Sequence, residues 1–284
     1  MKRGYADTPE GQIHYYTHGR GEPLLMLHET PRAAWSFAPL MRRLGGRFRC
    51  FAPDTLGFGM SDPLPPKAKM EDLARCMVHF LDRQGIERAH VLGFHTGNKI
   101  GAAMAARFPD RVGKAILIGM THSLVVSRRH RDAAIMAIVR KYMTAHREAA
   151  DGSHLLRAWA SDYGGLAGVW WNPAIMTARR ITTQALRGQE ARAIEMIQCR
   201  GTIKQIYAMN FGFDLSATLR RIRQPTQVIE CCMPEEAHLG AQGPRVLRLL
   251  KRGELVTLKN AGFDATETHA AEIARAANRF LLRR

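Results

Sequence analysis

No apolar run in this 284-residue chain approaches the roughly 18 residues that a membrane-spanning helix needs. A membrane partner is therefore not expected, and the protein reads as cytoplasmic. The opening MKRGYADTPEGQIHYY has two basic residues and no apolar core, so no signal peptide is expected. Cysteine supplies no framework. Cys50, Cys76, Cys199, Cys231 and Cys232 form no C-x-x-C and no paired spacing, which argues against a disulfide scaffold or a zinc motif and leaves them as reduced, buried thiols. Internal repeats and low-complexity segments are also missing, so a solenoid or an array is not in view.

Acidic residues are scarce. Lys and Arg number 42 against 25 Asp and Glu, a formal charge of +17, and such a field draws nucleic acid, anionic lipid or anionic small molecules. The basic residues are scattered, in pairs such as Arg128-Arg129, Arg179-Arg180 and Arg220-Arg221, with no long tract and no nucleic-acid motif. A nucleic-acid partner is not expected. A basic solvated surface and a preference for an anionic substrate or ligand both stay open, as does a homodimer.

What the chain does have is rhythm. The runs 23–28, 49–54, 89–94 and 114–119 are short and apolar like buried strands, and helical patterns near 33–45, 69–84 and 97–108 separate them. Strand–helix alternation predicts an α/β fold with a mostly parallel sheet and right-handed crossovers. The alternating stretch 12–19 reads as an edge strand. From about 121 to 222 the strand signal gives way to helix rich in Arg, Met, Ala and Trp, then returns at 225–232 and 253–260 before a last helix near 267–282. The expected organisation is a core of 1–120 and 223–284 with a helical cap, 121–222, inserted over the strand C-termini, where open α/β sheets bind ligands.

The stretch VLGFHTGNKIGAAMAARFPDRV, 91–112, is laid out as a nucleophile elbow: strand, Gly93-x-His95-x-Gly97, helix. LLMLHETPRAAWSF and RCFAPDTLGFGMSDP then resemble the oxyanion loop and the Asp-x-x-Gly-x-Gly-x-Ser loop of the α/β-hydrolase superfamily. The resemblance is to its capped branch of esterases, haloalkane dehalogenases, epoxide hydrolases and C–C hydrolases, and it runs over residues 12 to 284. It implies the α/β-hydrolase fold, and no cofactor.

The departures fall where that family keeps its chemistry. The elbow carries His95 instead of Ser, Cys or Asp. Pro234 stands about where the acid would be, with Glu235 and Glu236 beyond it; Phe263 replaces the catalytic histidine, and Glu29 replaces the glycine of His-Gly. A Ser-His-Asp triad is therefore missing. Thr96 follows the elbow residue and is expected to offer a backbone N–H, not a nucleophilic hydroxyl. His269 or His122 are substitutes for the base, His269 beginning the last helix and His122 lying at the lid hinge.

A histidine has an ordinary pKa of about 6.5 and is its own base, so the loss at 263 and the gain at 95 are chemically consistent. The catalytic candidates are His95 and Glu29, the carboxylate either orienting the ring or pointing to solvent or capping the helix near Arg32. Thr30 and Thr96 supply the oxyanion N–H groups. Substrate-binding candidates are His28, Arg32 as a carboxylate clamp or a surface residue, His122, Trp159 and Phe263. A His28–Glu29–His95 metal site is formally possible, although the resemblance packs the first histidine inside. The expected function is a noncanonical enzyme on a small, anionic or neutral organic substrate, with His95 as base, acid or nucleophile. The alternative is an inactive ligand-binding or regulatory protein of the same fold.

Overall fold

The segments Glu22–Leu27 (β3), Phe48–Pro53 (β4), Ala89–Phe94 (β5), Val112–Ile118 (β6) and Thr226–Cys232 (β7) are largely buried on both faces, as strands covered by helices on two sides must be. With Lys2–Thr8 (β1), Gly11–His18 (β2) and Gly253–Lys259 (β8) they form, among the described residues, one eight-stranded sheet in the order β1-β2-β4-β3-β5-β6-β7-β8. Strands β3 to β8 are parallel, and β2 is antiparallel to β1 and β4. The computed structural model describes residues 1–119, 149–155, 183–232, 242–262 and 264–283, with side chains from 190 onward in the helix that begins at 183.

Alternation of side chains along each strand sends Leu24 and Met26 to one face and Leu25 and Leu27 to the other. On the first face Ala38–Leu44 (α1) and Ala270–Leu281 (α8) pack; on the second, Met70–Arg83 (α2) and Thr96–Arg107 (α3). The spacing of the apolar residues dictates this arrangement. In α8 the buried residues Ala270, Ile273, Ala274, Ala277, Phe280 and Leu281, with Ala276 beside them, recur every three or four residues, the stripe of a helix lying on a sheet. Thr183–Gly212 (α4), Leu215–Arg221 (α5), Gly243–Leu247 (α6) and Ala265–Thr268 (α7) are the remaining helices discussed below.

The expected core strands appear within about two residues of their expected ends, but the helix expected at 33–45 is a 3-10 turn, Ala34–Phe37, followed by α1, and the last helix starts at Ala270, three residues late, with two further corrections. The stretch 12–19 is β2, but it is not an edge, because β1 lies outside it. Of the seven residues of β1 only Ala6 is buried, so KRGYADT carries too little apolar alternation to be read as a strand. The second correction concerns the thiols: Cys50, Cys76, Cys199 and Cys231 are buried, whereas Cys232 is exposed. Among the described residues no helix is long and apolar enough to cross a membrane. The described parts of the expected cap are 149–155, α4 and α5.

The sheet order places the site. From β3 the chain moves to β4 on one side and later returns to β5 on the other. The C-termini of β3 and β5 therefore face a common crevice, the switch point at which such sheets bind ligands. Leu27 and Gly93 are register partners, and the residues immediately after them are the loop 28–36 and the elbow.

Candidate active site

The elbow is possible only because two residues have no side chain. A Cβ on Gly93 would lie 2.3 Å from the Gly97 carbonyl oxygen, and one on Gly97 would lie 1.9 Å from that of Leu27, so glycine is required by close backbone approach. Between them His95 has φ 46° and ψ −106°, a conformation that costs a non-glycine residue about 1–3 kcal/mol. The turn is clamped to the end of β6. His95 N–H donates to the Ile118 carbonyl at 3.0 Å, and Asn98 Nδ2 donates to the carbonyls of Ile118 and Gly119 at 2.9 and 3.2 Å.

The imidazole of His95 is 8% exposed, with its ring centroid 4.5 Å from that of Phe94. It leans toward the end of β6: a Cβ on Gly119 would sit 3.0 Å from His95 Nε2. Thr96 is the first residue of α3, so its N–H has no acceptor within the helix and lies at the positive end of the helix dipole. Its hydroxyl accepts a hydrogen bond from Asn210 Nδ2 of α4 at 2.9 Å. The structure thus brings His95 and Thr96 to the same crevice as His28 and Thr30, on the adjacent strand end.

The loop after β3 is organised by buried polar groups. His28 is 1% exposed; its Nε2 accepts the Thr55 N–H at 3.0 Å, which leaves Nδ1 to donate to the Glu29 carbonyl at 2.8 Å. Burial holds its pKa below the ordinary value. Both nitrogens are used, so His28 is a neutral loop brace and neither a substrate contact nor a metal ligand. Among the described residues no three His, Cys, Asp or Glu side chains converge as a metal site. Asp54 braces the loop from β4: Oδ1 accepts the Ala34 N–H at 2.7 Å and Oδ2 pairs with His14 Nδ1 at 2.8 Å.

The 34–37 turn has no side-chain cap, and Glu29 does none of the three things expected of it. Its side chain is buried, with Oε2 accepting from Ser36 Oγ at 3.3 Å and Oε1 lying 3.9 Å from Arg32. The carboxylate is thus turned to Ser36 and Arg32, not to the His95 ring, and it does not reach solvent. Arg32 is likewise no free clamp and no surface residue. At 6% exposed, it donates through Nε to Glu195 of α4 at 2.5 Å and through NH2 to Glu267 of α7 at 2.8 Å, and Arg192 also bonds Glu267. Its guanidinium is consumed in tying the oxyanion loop to two helices. Burial opposes its charge, but the surrounding carboxylates outweigh burial and hold its pKa above the ordinary value.

Three carboxylates therefore share two guanidinia among the described residues; burial raises the pKa of Glu195 and of Glu29, the farthest from Arg32, whereas the guanidinia hold Glu267 below its ordinary value. Burial pushes the Glu29 pKa from 4.5 up to about 7, against the pull of Arg32. A carboxyl with a raised folded-state pKa binds more protons folded than unfolded, so its contribution is fully present below about pH 4.5 and is lost as pH rises to about 7. A shift of that size is worth on the order of 3 kcal/mol. Glu29→Gln should consequently match the wild type near pH 4.5 and exceed its stability at pH 8, read from urea midpoints at both values. Parallel pH dependence of the two proteins would count against the proton on Glu29.

His269 hydrogen-bonds Thr268 Oγ1 through Nδ1 at 3.0 Å. His122, Trp159 and Phe263, with Pro234, Glu235 and Glu236, lie outside the described residues. The residues that sequence reasoning missed are Glu195, Glu267 and Asn210. One signal was available: Glu195, Cys199, Thr202, Ile206 and Asn210 recur at helical spacing and are buried, so polar residues share a face with apolar ones, a face that must find polar partners.

Residues 22–174 match the family model described as "alpha/beta hydrolase fold". A haloalkane dehalogenase of Mycobacterium tuberculosis is 35% identical over 116 residues, 40% of either chain. A 2-hydroxy-6-oxononadienedioate/2-hydroxy-6-oxononatrienedioate hydrolase of Paraburkholderia phymatum is 34% identical over 125 residues, 40% of this chain and 43% of that one. The chain thus spans less than half the length of these curated relatives. In three dimensions, a hydrolase from Pseudomonas aeruginosa superposes with a TM-score of 0.72 at 23% identity over 99% of both chains. The enol-lactonase from Burkholderia xenovorans gives 0.68 at 21% identity, covering 99% of this chain and all of its own. At these identities the structural likeness speaks for the fold.

Proposed function

The chain belongs to the α/β-hydrolase fold family, and from that membership we propose that it is an enzyme whose acid–base group is His95. The observation that carries this reading is the elbow itself. A histidine held at φ 46°, in a turn that two obligatory glycines make possible, is held in strain that a merely structural residue does not need. The relatives are named as a haloalkane dehalogenase and a 2-hydroxy-6-oxononadienedioate/2-hydroxy-6-oxononatrienedioate hydrolase, which favours hydrolysis of a small organic molecule.

In this mechanism the neutral imidazole takes a proton from water at the crevice between β3 and β5. The oxygen so activated attacks the electrophilic carbon of the substrate, and the imidazolium returns its proton to the leaving group. The negative charge that develops is met by the N–H groups of Thr30 and Thr96. No side-chain hydroxyl acts as nucleophile, and Arg32, already bonded to Glu195 and Glu267, takes no part in binding an anion.

The test has two arms. Incubation with a fluorophosphonate should leave every Ser and Thr unlabelled, because the probe needs an activated hydroxyl. Turnover on a panel of small activated esters, lactones and haloalkanes should rise with pH as the imidazole loses its proton. Stoichiometric labelling, or a pH-independent rate, overturns the proposal.

A further inference from the structure

A second concavity lies apart from the elbow. A cavity of about 620 Å³ opens between β1, β2, the turn at 33–35 and one face of α4, and neither His95, Thr30 nor Thr96 lines it. Its volume is in the range that holds a single small ligand.

Three features of its lining point the same way. One wall is aromatic: the rings of Tyr16 and Trp35 stand 5.4 Å apart, and Trp35 is 41% exposed, an unusual position for the side chain that gains most from being covered. The rim is cationic, formed by Lys2, Arg3 and Arg42, and the two carboxylates in the lining, Asp54 and Glu195, are engaged by His14 and Arg32. Within the lining lies a fixed imidazole. His14 is 4% exposed, and its Nδ1 is bound to Asp54 Oδ2 at 2.8 Å. That bond sets the ring's orientation and leaves Nε2, which has no hydrogen-bond partner among the described residues, for a polar group in the cavity.

We propose that this cavity is a second ligand site, for a small planar aromatic carboxylate. The ring lies against Tyr16 and Trp35, the carboxylate is met by Arg42, Lys2 and Arg3, and a ring substituent reaches His14. An uncharged ring would leave Lys2 and Arg42 at the rim without a counter-charge. A non-aromatic anion would leave the exposed indole uncovered. The site needs nothing from the chemistry of His95 and stands whether or not that residue is catalytic.

The probe is 1-naphthoate, titrated calorimetrically into the full chain, with naphthalene-1-methanol and cyclohexanecarboxylate as matched compounds lacking the charge or the aromatic face. Binding of one equivalent is expected, weakened about tenfold or more by Trp35→Ala and by Arg42→Glu, unchanged by His95→Ala, and much weaker for both matched compounds. Circular dichroism confirms that the two rim variants fold, which is expected because neither side chain is in the core. Four results overturn the proposal: no saturable binding, indifference to both rim substitutions, equal binding of the uncharged compound, or loss of binding in His95→Ala, which would place the naphthoate at the elbow.

Discussion

His95→Ala should leave a folded protein whose turnover is about 10²–10⁴-fold slower, the usual loss when general acid–base help is removed. The elbow backbone is held by Gly93, Gly97 and the Asn98 amide, none of which depends on the imidazole, so the fold has no reason to fail. Substrate affinity should change little, because the oxyanion N–H groups remain. A third variant separates strain from chemistry. At φ 46° a Cβ is a burden, so His95→Gly should be more stable than His95→Ala by about 1 kcal/mol, the reverse of their order at an ordinary position. Both variants should be equally inactive. Retained turnover in either would remove His95 from the mechanism.

Arg32→Met should be the most damaging single change to stability, costing about 3–5 kcal/mol, the range for removing one partner of a buried ion pair. Glu195 is 6% exposed and would lose the guanidinium at 2.5 Å, while Glu267 would keep only Arg192 among its described partners. The damage comes from charge left behind, not from the lost contact alone. Adding Glu195→Gln to Arg32→Met should therefore restore part of the stability, and the double variant should lose less than the sum of the two single changes. The loss should also shrink at acidic pH, where the orphaned carboxylates protonate. Urea unfolding of the four proteins of this cycle measures both effects. A cost under about 1 kcal/mol for Arg32→Met would mean that the cluster behaves as a surface pair.

The framework of the protein was legible because its signals are local. Strands β3 to β7 are short apolar runs, α8 repeats its apolar residues every three or four positions, and the two glycines around His95 are visible within five residues. The elbow could be read, and with it the histidine at position 95. The partners of the charged residues could not. Arg32 finds Glu195 across 163 positions and Glu267 across 235, and nothing in the neighbourhood of HETPR indicates that its guanidinium is already engaged. Glu29 illustrates the same limit from the other side. Its residue type suggested a partner for the adjacent imidazole, but Ser36 and the folding of the 28–36 loop turn it away. β1 escaped notice for a third reason: it is held by pairing with β2, and backbone hydrogen bonds leave no mark on composition.

The long reach of Arg32 bears on the order in which the protein comes into being. Strands β3, β5 and β6 and the turn carrying His95 are all encoded before residue 119, so a nascent chain can assemble the sheet around the elbow well before Glu195 leaves the ribosome. At synthesis rates of about 5–20 residues per second, Arg32 then waits several seconds for its first partner and longer for Glu267. During that interval the loop 28–36 has its bonds to Thr55 and Asp54 but lacks its ties to α4 and α7.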